Sequence, residues 1–250
     1  MLINPISFTS NNRSYVRTSA DKKIKDTNCF TQIFRDDFPW NEFADYLQEH
    51  FKNARRVEVI NQACSDGSEP FSLVIVLQEK LNQSEAEKFF PIYAYDYDEE
   101  VMQNAKNGRI YFSAVDYPRF NHMKLNKEKY FEYKVYDRHL ALHSYDISDN
   151  LRKNVVFNSE SVLETLGKMP NYKTDCIFIC RNMYPYLSFY EMDNFRELLC
   201  KKLGVGSIVA FGNYDMDNFG SLIKGDLIRA GFSPALDGCD VIFVREHVRL

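Results

Sequence analysis

The chain has 250 residues, 45% hydrophobic and 26% charged, which suits one soluble α/β-sized domain and excludes a disordered or collagen-like polypeptide. Its net charge of −4 gives no broad positive field, so nucleic acid is not an expected partner. Only 10 glycines leave little room for a multi-glycine phosphate cradle, and the longest apolar run, Leu73 to Leu77, is far short of the ~20 residues that cross a membrane. Six cysteines without a C-x-x-C or Cys/His cluster point to free thiols in a reducing cytoplasm and to no metal, and the first residues lack a secretory-signal layout.

Residues 1–27 are polar and carry Arg13, Arg17, Lys22, Lys23 and Lys25, which predicts an N-terminal extension ahead of a domain spanning 28–250. Phe43, Leu47 and Phe51 recur four apart and predict a helix over 38–51. A strand over 56–60, a helix over 69–81, a strand over 89–95 and a helix from the N-cap Asp98 through Ala105 follow. This alternation predicts a doubly wound, mostly parallel sheet. Aromatic alternation at Tyr130, Phe131, Tyr133 and Val135, and again over 155–157, predicts a small antiparallel β insertion at about 112–157. The βα order then resumes with a strand over 176–180 and a helix over 189–203 closed by Gly204. A strand over 207–212 and a helix over 217–230 come next, then a hairpin of 232–236 and 241–246 that turns at Asp237-Gly238.

In such sheets ligands sit beyond the carboxyl ends of the strands. The first exit, from Asn61 to Pro70, has one glycine, and acids at Asp66 and Glu69. Negative charge there repels a phosphate and favours a cation, so the expected ligand is a positively charged nucleoside such as S-adenosylmethionine. Asp66 and Ser68 also suit a plain helix cap. At the second exit Asp96 is placed to hold ribose hydroxyls, with Asp98 as the cap of the next helix. The exit after residue 180 crowds Arg181, Asn182, Tyr184 and Tyr186 around Pro185, more polar chemistry than packing alone requires.

Four segments in order resemble the CheR-type methyltransferases, the protein-glutamate O-methyltransferases of bacterial chemotaxis. Residues 31–36, Thr-Gln-Ile-Phe-Arg-Asp, are similar to the family's T-x-F-F-R-[DE], and Ala63 to Ser72 to its A-x-S-T-G-E-E-P-Y-S. Ala94 to Asp98 is similar to A-T-D-I-D, and Ile179 to Tyr186 to F-C-R-N-x-x-x-Y. Tyr111 and Tyr130-Phe131 fall where the family has its GIY and YF landmarks, and the likeness covers roughly 28–246. Three positions depart: Ser68 stands for the first glutamate of G-E-E-P, Ile33 for the first phenylalanine of F-F-R, and Ser161-Val162-Leu163 for N-L-L. With roughly 27 residues ahead of the match, the family's usual helical N-terminal domain is not expected here.

The resemblance implies a class I methyltransferase fold, Rossmann-like, with a mostly parallel seven-stranded sheet and a small antiparallel β insertion. It implies S-adenosylmethionine as cofactor, and as acceptor a carboxylate-bearing protein such as a chemoreceptor. Carried over by motif, Thr31, Ala63, Glu69, Asp96, Ser161, Val162, Arg181 and Asn182 would meet the cofactor. Arg35 and Tyr186 would be the catalytic pair at the methyl group. An ionised glutamate, with an ordinary pKa of about 4.3, needs no general base, and none of the five histidines falls in a motif. Arg35 and Arg181 together are expected to dock the acceptor carboxylate, although a salt bridge from Arg35 to Asp37 would also use its charge. The open alternatives are a class I methyltransferase of a nitrogen or small-molecule acceptor and a non-catalytic cofactor-binding module.

Overall fold

The computed structural model describes residues 31–35, 38–112, 120–121, 123–137 and 142–246. The predicted extension over 1–27 and the proposed Arg35 partner Asp37 lie outside them. The chain runs α1 (Trp40–His50), β1 (Glu58–Gln62), α2 (Ser68–Lys80), α3 (Gln83–Glu87), β2 (Ile92–Asp96) and α4 (Glu99–Asn107). Next come β3 (Arg109–Phe112), β4 (Phe131–Asp137), β5 (Leu142–Ile147), α5 (Asp149–Arg152), β6 (Val155–Ser159) and α6 (Val162–Lys168). It closes with β7 (Cys176–Cys180), α7 (Phe189–Lys202), β8 (Ile208–Phe211), α8 (Asn213–Arg229), β9 (Phe232–Pro234) and β10 (Ile242–Arg245).

The main sheet has seven strands in the order β6-β2-β1-β7-β8-β10-β9. The first five are parallel, and β10 runs antiparallel to both its neighbours. Strand order reverses between β1 and β7, and a ligand crevice belongs at their carboxyl ends. Every residue of β7 is buried, the pattern of a strand covered on both faces. Its Cys176 and Cys180 are packing groups whose thiols burial pushes up. Helix α1 buries Trp40, Phe43, Ala44 and Leu47 on one face, as its four-residue recurrence predicts.

The second sheet is a three-stranded antiparallel insertion, β3-β5-β4. Phe112, Phe120 and Phe131 form its core, with ring centroids 5.2–5.5 Å apart. Phe120 also meets Phe34 at 5.7 Å, so the insertion packs onto the segment that carries Arg35.

Four predicted elements need correction. Residues 155–157 belong to β6, which pairs parallel to β2 at the edge of the main sheet rather than in the insertion. Helix α6, absent from the prediction, starts at a capping box between Ser161 and Glu164. Helix α8 begins at Asn213, four residues early, because Asp215 caps it. Gly204 does not form a left-handed cap: the C-cap is Leu203, and a Cβ at 204 would lie 2.3 Å from the Tyr172 carbonyl oxygen. There the glycine serves close backbone approach.

Candidate functional site

Seven non-glycine residues among those described have positive φ, and Phe34, Ala63, Ser65 and Asn182 lie in the predicted site segments. Such backbone costs of order 1–3 kcal/mol per residue and persists where the surroundings dictate it. The hydrogen bonds show what dictates it here. The Phe34 amide donates to Ser72 Oγ at 2.8 Å, and that hydroxyl donates to the Ser68 carbonyl at 2.7 Å. This fastens the 31–35 segment to α2 at Ser72. Ile33 and Phe34 turn into the core, leaving Thr31 and Arg35 half-buried beside them.

At the β1 exit the Cys64 amide donates to the Tyr95 carbonyl at 3.0 Å and the Ser65 amide to Asp96 Oδ2 at 3.0 Å. Asp96 Oδ1 accepts from the Asp98 amide at 3.2 Å. Asp96 is only 6% exposed, and burial raises its pKa against the pull of these amides. It therefore ties the β1 exit to the β2 exit. Asp98 caps α4 as predicted, accepting from the amides of Glu100 and Val101. Asp66 Oδ1 accepts from the Ser68 amide at 2.9 Å, the local cap that its position allowed.

Glu69 joins the β1 and β7 exits. Its Oε1 accepts from Asn61 Nδ2 at 2.6 Å and its Oε2 from an Arg181 NH at 2.7 Å. The Arg181 side chain is 1% exposed and that of Glu69 13%. The guanidinium lies 4.5 Å from the Phe38 ring centre and 5.4 Å from that of Trp40. Trp40 Nε1 in turn donates to the Arg35 carbonyl at 3.2 Å. Arg181 is thus paired with Glu69 and stacked on the aromatic pair, with its side chain closed off from solvent.

The remaining predicted residues fall at the other exits. Asn182 sits left-handed at the end of β7 with its amide on Asp215. Ser161 spends its hydroxyl on the α6 cap, and Val162 is buried below it. The Glu160 amide donates to the Asp96 carbonyl at 3.0 Å, which brings the β6 exit against the β2 exit. Tyr186 ends the short 3-10 turn Tyr184–Tyr186 and is 57% exposed, a side chain at the mouth rather than in the floor.

Sequence reasoning places Asn61 and Gln62 in the first exit without a role and passes over Asp215. Asn61 and Gln62 are buried amides at the end of the central strand, a position that packing alone fills with apolar residues. The Gln62 Nε2 donates to the Glu160 carbonyl at 3.1 Å, as the Asn61 amide nitrogen does to Glu69. Both amide oxygens are thereby fixed as acceptors, and both are buried without a hydrogen-bond partner, as is Ser65 Oγ. Acceptors and acids in this number fit a ligand that donates hydrogen bonds and carries positive charge. The ammonium and ribose hydroxyls of S-adenosylmethionine meet that requirement, whereas a pyrophosphate does not.

Comparison with known proteins agrees with this chemistry. Residues 29–217 match the family model described as CheR methyltransferase, SAM binding domain. "Chemotaxis protein methyltransferase 2" of Vibrio cholerae is 29% identical over 198 residues, covering 76% of this chain and 62% of that protein. A "Probable chemotaxis protein methyltransferase" of Rhizobium etli is 28% identical over 165 residues, covering 64% and 57%. The chain thus spans about three fifths of the length of these curated relatives. A solved TehB-like SAM-dependent methyltransferase from Corynebacterium glutamicum is 11% identical with a TM-score of 0.40, covering 83% of this chain and 86% of that one.

Proposed function

The chain belongs to the CheR methyltransferase family, and from that premise we propose that it methylates a glutamate-type carboxylate on a protein, with a chemoreceptor as the acceptor. The observation that carries the proposal is the charge pattern of the strand exits. Acids and fixed acceptors line them, and their one deeply buried cation, Arg181, is neutralised by Glu69.

When bound, S-adenosylmethionine supplies a methyl group on a positively charged sulfur, which an ionised carboxylate takes without a base. Glu69 and Asn61 hold the amino-acid end, and Asp96 holds the ribose. Ala63 and Asn182 shape the floor through their left-handed backbone. Thr31 and the β6 exit at Ser161-Val162 line the nucleoside side, Ser161 through its place in the chain rather than its hydroxyl. Because Arg181 is spent, Arg35 docks the acceptor carboxylate, with Tyr186 beside the methyl group. The insertion and Trp40 position Arg35 through Phe34 and through its carbonyl. In-line positioning in a water-poor cleft supplies the rate.

The test is the chemistry of the product. Acceptor protein labelled from methyl-tritiated cofactor should lose its label as volatile methanol in mild alkali, as a methyl ester does. Label that survives alkali means an N-methyl or ether product and overturns the carboxylate assignment.

A further inference from the structure

We infer that Asp215 is a positioning residue of the methyl-transfer site: from the start of α8 its carboxylate holds the β7 exit, and with it Asn182, in working shape. The inference rests on the site reading above. Asp215 is 0% exposed in the first turn of α8, deeper than a cap of that helix alone requires. Its Oδ2 accepts from the amides of Asn182 at 2.5 Å and Gly212 at 3.1 Å, and its Oδ1 from the amide of Tyr184 at 3.1 Å. Only the Gly212 bond is a cap of its own helix; the other two reach across to the β7 exit. One carboxylate therefore fixes both flanks of Met183, the left-handed Asn182 on one side and Tyr184 on the other.

Gly212 gives independent support. A Cβ there would lie 2.1 Å from Asn182 Oδ1 and 2.7 Å from the Asn182 nitrogen, so the β7 exit packs onto position 212 where only a glycine leaves room. The close approach brings the Asn182 amide within reach of Asp215. Family likeness had assigned Asn182 to the floor, and Asp215 is what makes that floor.

The groups facing Asp215 set when it works. Arg181 at the β7 exit favours the ionised form, while the Cys180 thiol and the Tyr184 phenol, both kept neutral by burial, face it as potential anions. Arg196 of α7 lies against Tyr184, and Asp217 is the next acid along α8. Burial outweighs the three amides and Arg181, and the carboxyl is pushed up to about 6. A protonated Asp215 places an O–H among three N–H donors and loses acceptor capacity. Since its pKa is raised in the fold, this group contributes stability below the ordinary carboxylate range, and that contribution is lost as pH rises through about 6. Acidification through this window therefore loosens the loop without Asp215 weakening the fold.

The experiment measures S-adenosylhomocysteine affinity by calorimetry and turnover by label transfer, both from pH 7 to pH 5, for the wild type, Asp215→Asn and Asp215→Glu. The ammonium and carboxylate of the ligand keep their charge over this range, and a free acceptor glutamate titrates lower, near 4.3. The wild type should lose about tenfold in both quantities, with a midpoint near 6, as the ionised fraction falls. Thermal stability should not fall with that midpoint. Asp215→Asn should start about tenfold down and show no midpoint near 6, and Asp215→Glu should restore the midpoint. A wild-type binding profile flat across the range overturns the inference even if Asp215→Asn does not fold, as does an unchanged profile in Asp215→Asn. Because the binding arm needs no acceptor, absence of ester product sinks the proposed activity alone, whereas flat binding with ester product intact sinks only this inference.

Discussion

The strand exits of the main sheet and the antiparallel insertion both carry ion pairs, and they place them at opposite extremes of solvent access. At the exits Arg181 and Glu69 are 1% and 13% exposed and are reinforced by Asn61, Phe38 and Trp40. On the insertion Arg109 and Asp146 pair at 2.9 Å with 52% and 31% exposure, and Lys134 adds a looser contact at 3.4 Å. Burying a pair carries a desolvation cost that only good geometry and added hydrogen bonds offset, so a buried pair is by itself weak evidence of stabilisation. The exits use their charges to hold shape, and the insertion uses its charges to stay solvated.

The largest expected effect comes from breaking the buried pair. Arg181→Met leaves Glu69 charged with its main partner gone, and should cost about 3–5 kcal/mol in urea unfolding. The double variant Arg181→Met/Glu69→Gln removes the stranded charge and should recover most of that loss, while cofactor affinity stays low because Glu69 is gone. If the single and double variants are equally unstable, the cost is lost packing of Arg181 on Phe38 and Trp40 rather than charge.

Asp96 comes next. Its carboxylate fastens Ser65 and Asp98 and is proposed to accept from the ribose. Asp96→Ala should weaken S-adenosylhomocysteine binding ten- to a hundredfold, the value of a charge-assisted hydrogen bond of about 1.5–3 kcal/mol. Calorimetric affinity within twofold of wild type would remove Asp96 from the site.

Much of this was legible beforehand, and the misses have physical causes. Acids at Asp66 and Glu69 signalled a phosphate-free ligand because charge type depends on residue identity alone. The parallel sheet was legible because predicted strands and helices alternate along the chain. The fate of Arg181 was not: whether a guanidinium is open or stacked depends on Phe38 and Trp40, more than 140 positions away in the chain. Residues 155–157, Val-Val-Phe, carry no signal of strand direction, because a short apolar run fits a parallel edge strand and an antiparallel one equally well. The sequence pattern starts the last helix at 217, two residues beyond Asp215, and carries no signal for the reach of Asp215 across to Asn182.

A smaller and more selective effect is expected at the mouth. Tyr186 is 57% exposed, so Tyr186→Phe should leave stability unchanged and cofactor affinity within a few fold. Arg35→Ala removes the proposed carboxylate dock, and Trp40 bonds its backbone rather than its side chain, so the segment should stay in place. Both variants should lower turnover with little change in binding. Full turnover in both would show that the acceptor docks elsewhere.

The smallest effect completes the contrast. In the insertion, partial burial raises the Asp146 carboxyl, but the hydrogen bond from Arg109 and the charges of Arg109 and Lys134 outweigh it and hold the pKa below its ordinary value. A lowered carboxylate contributes stability above its ordinary pKa and loses it as pH falls through the lowered one. Because the pair is largely in water, that contribution is screened, and Arg109→Ala should cost no more than about 1 kcal/mol at neutral pH and less in 1 M salt. Cofactor affinity should not move, since Arg109 and Asp146 bond across β3 and β5, away from the strand exits. The decisive number is the ratio of the two losses: Arg181→Met should exceed Arg109→Ala at least threefold in unfolding free energy, and only the former should lower affinity. Equal losses, or a loss of binding from Arg109→Ala, would mean that the insertion's charges help hold the site and that the division between the two regions is wrong.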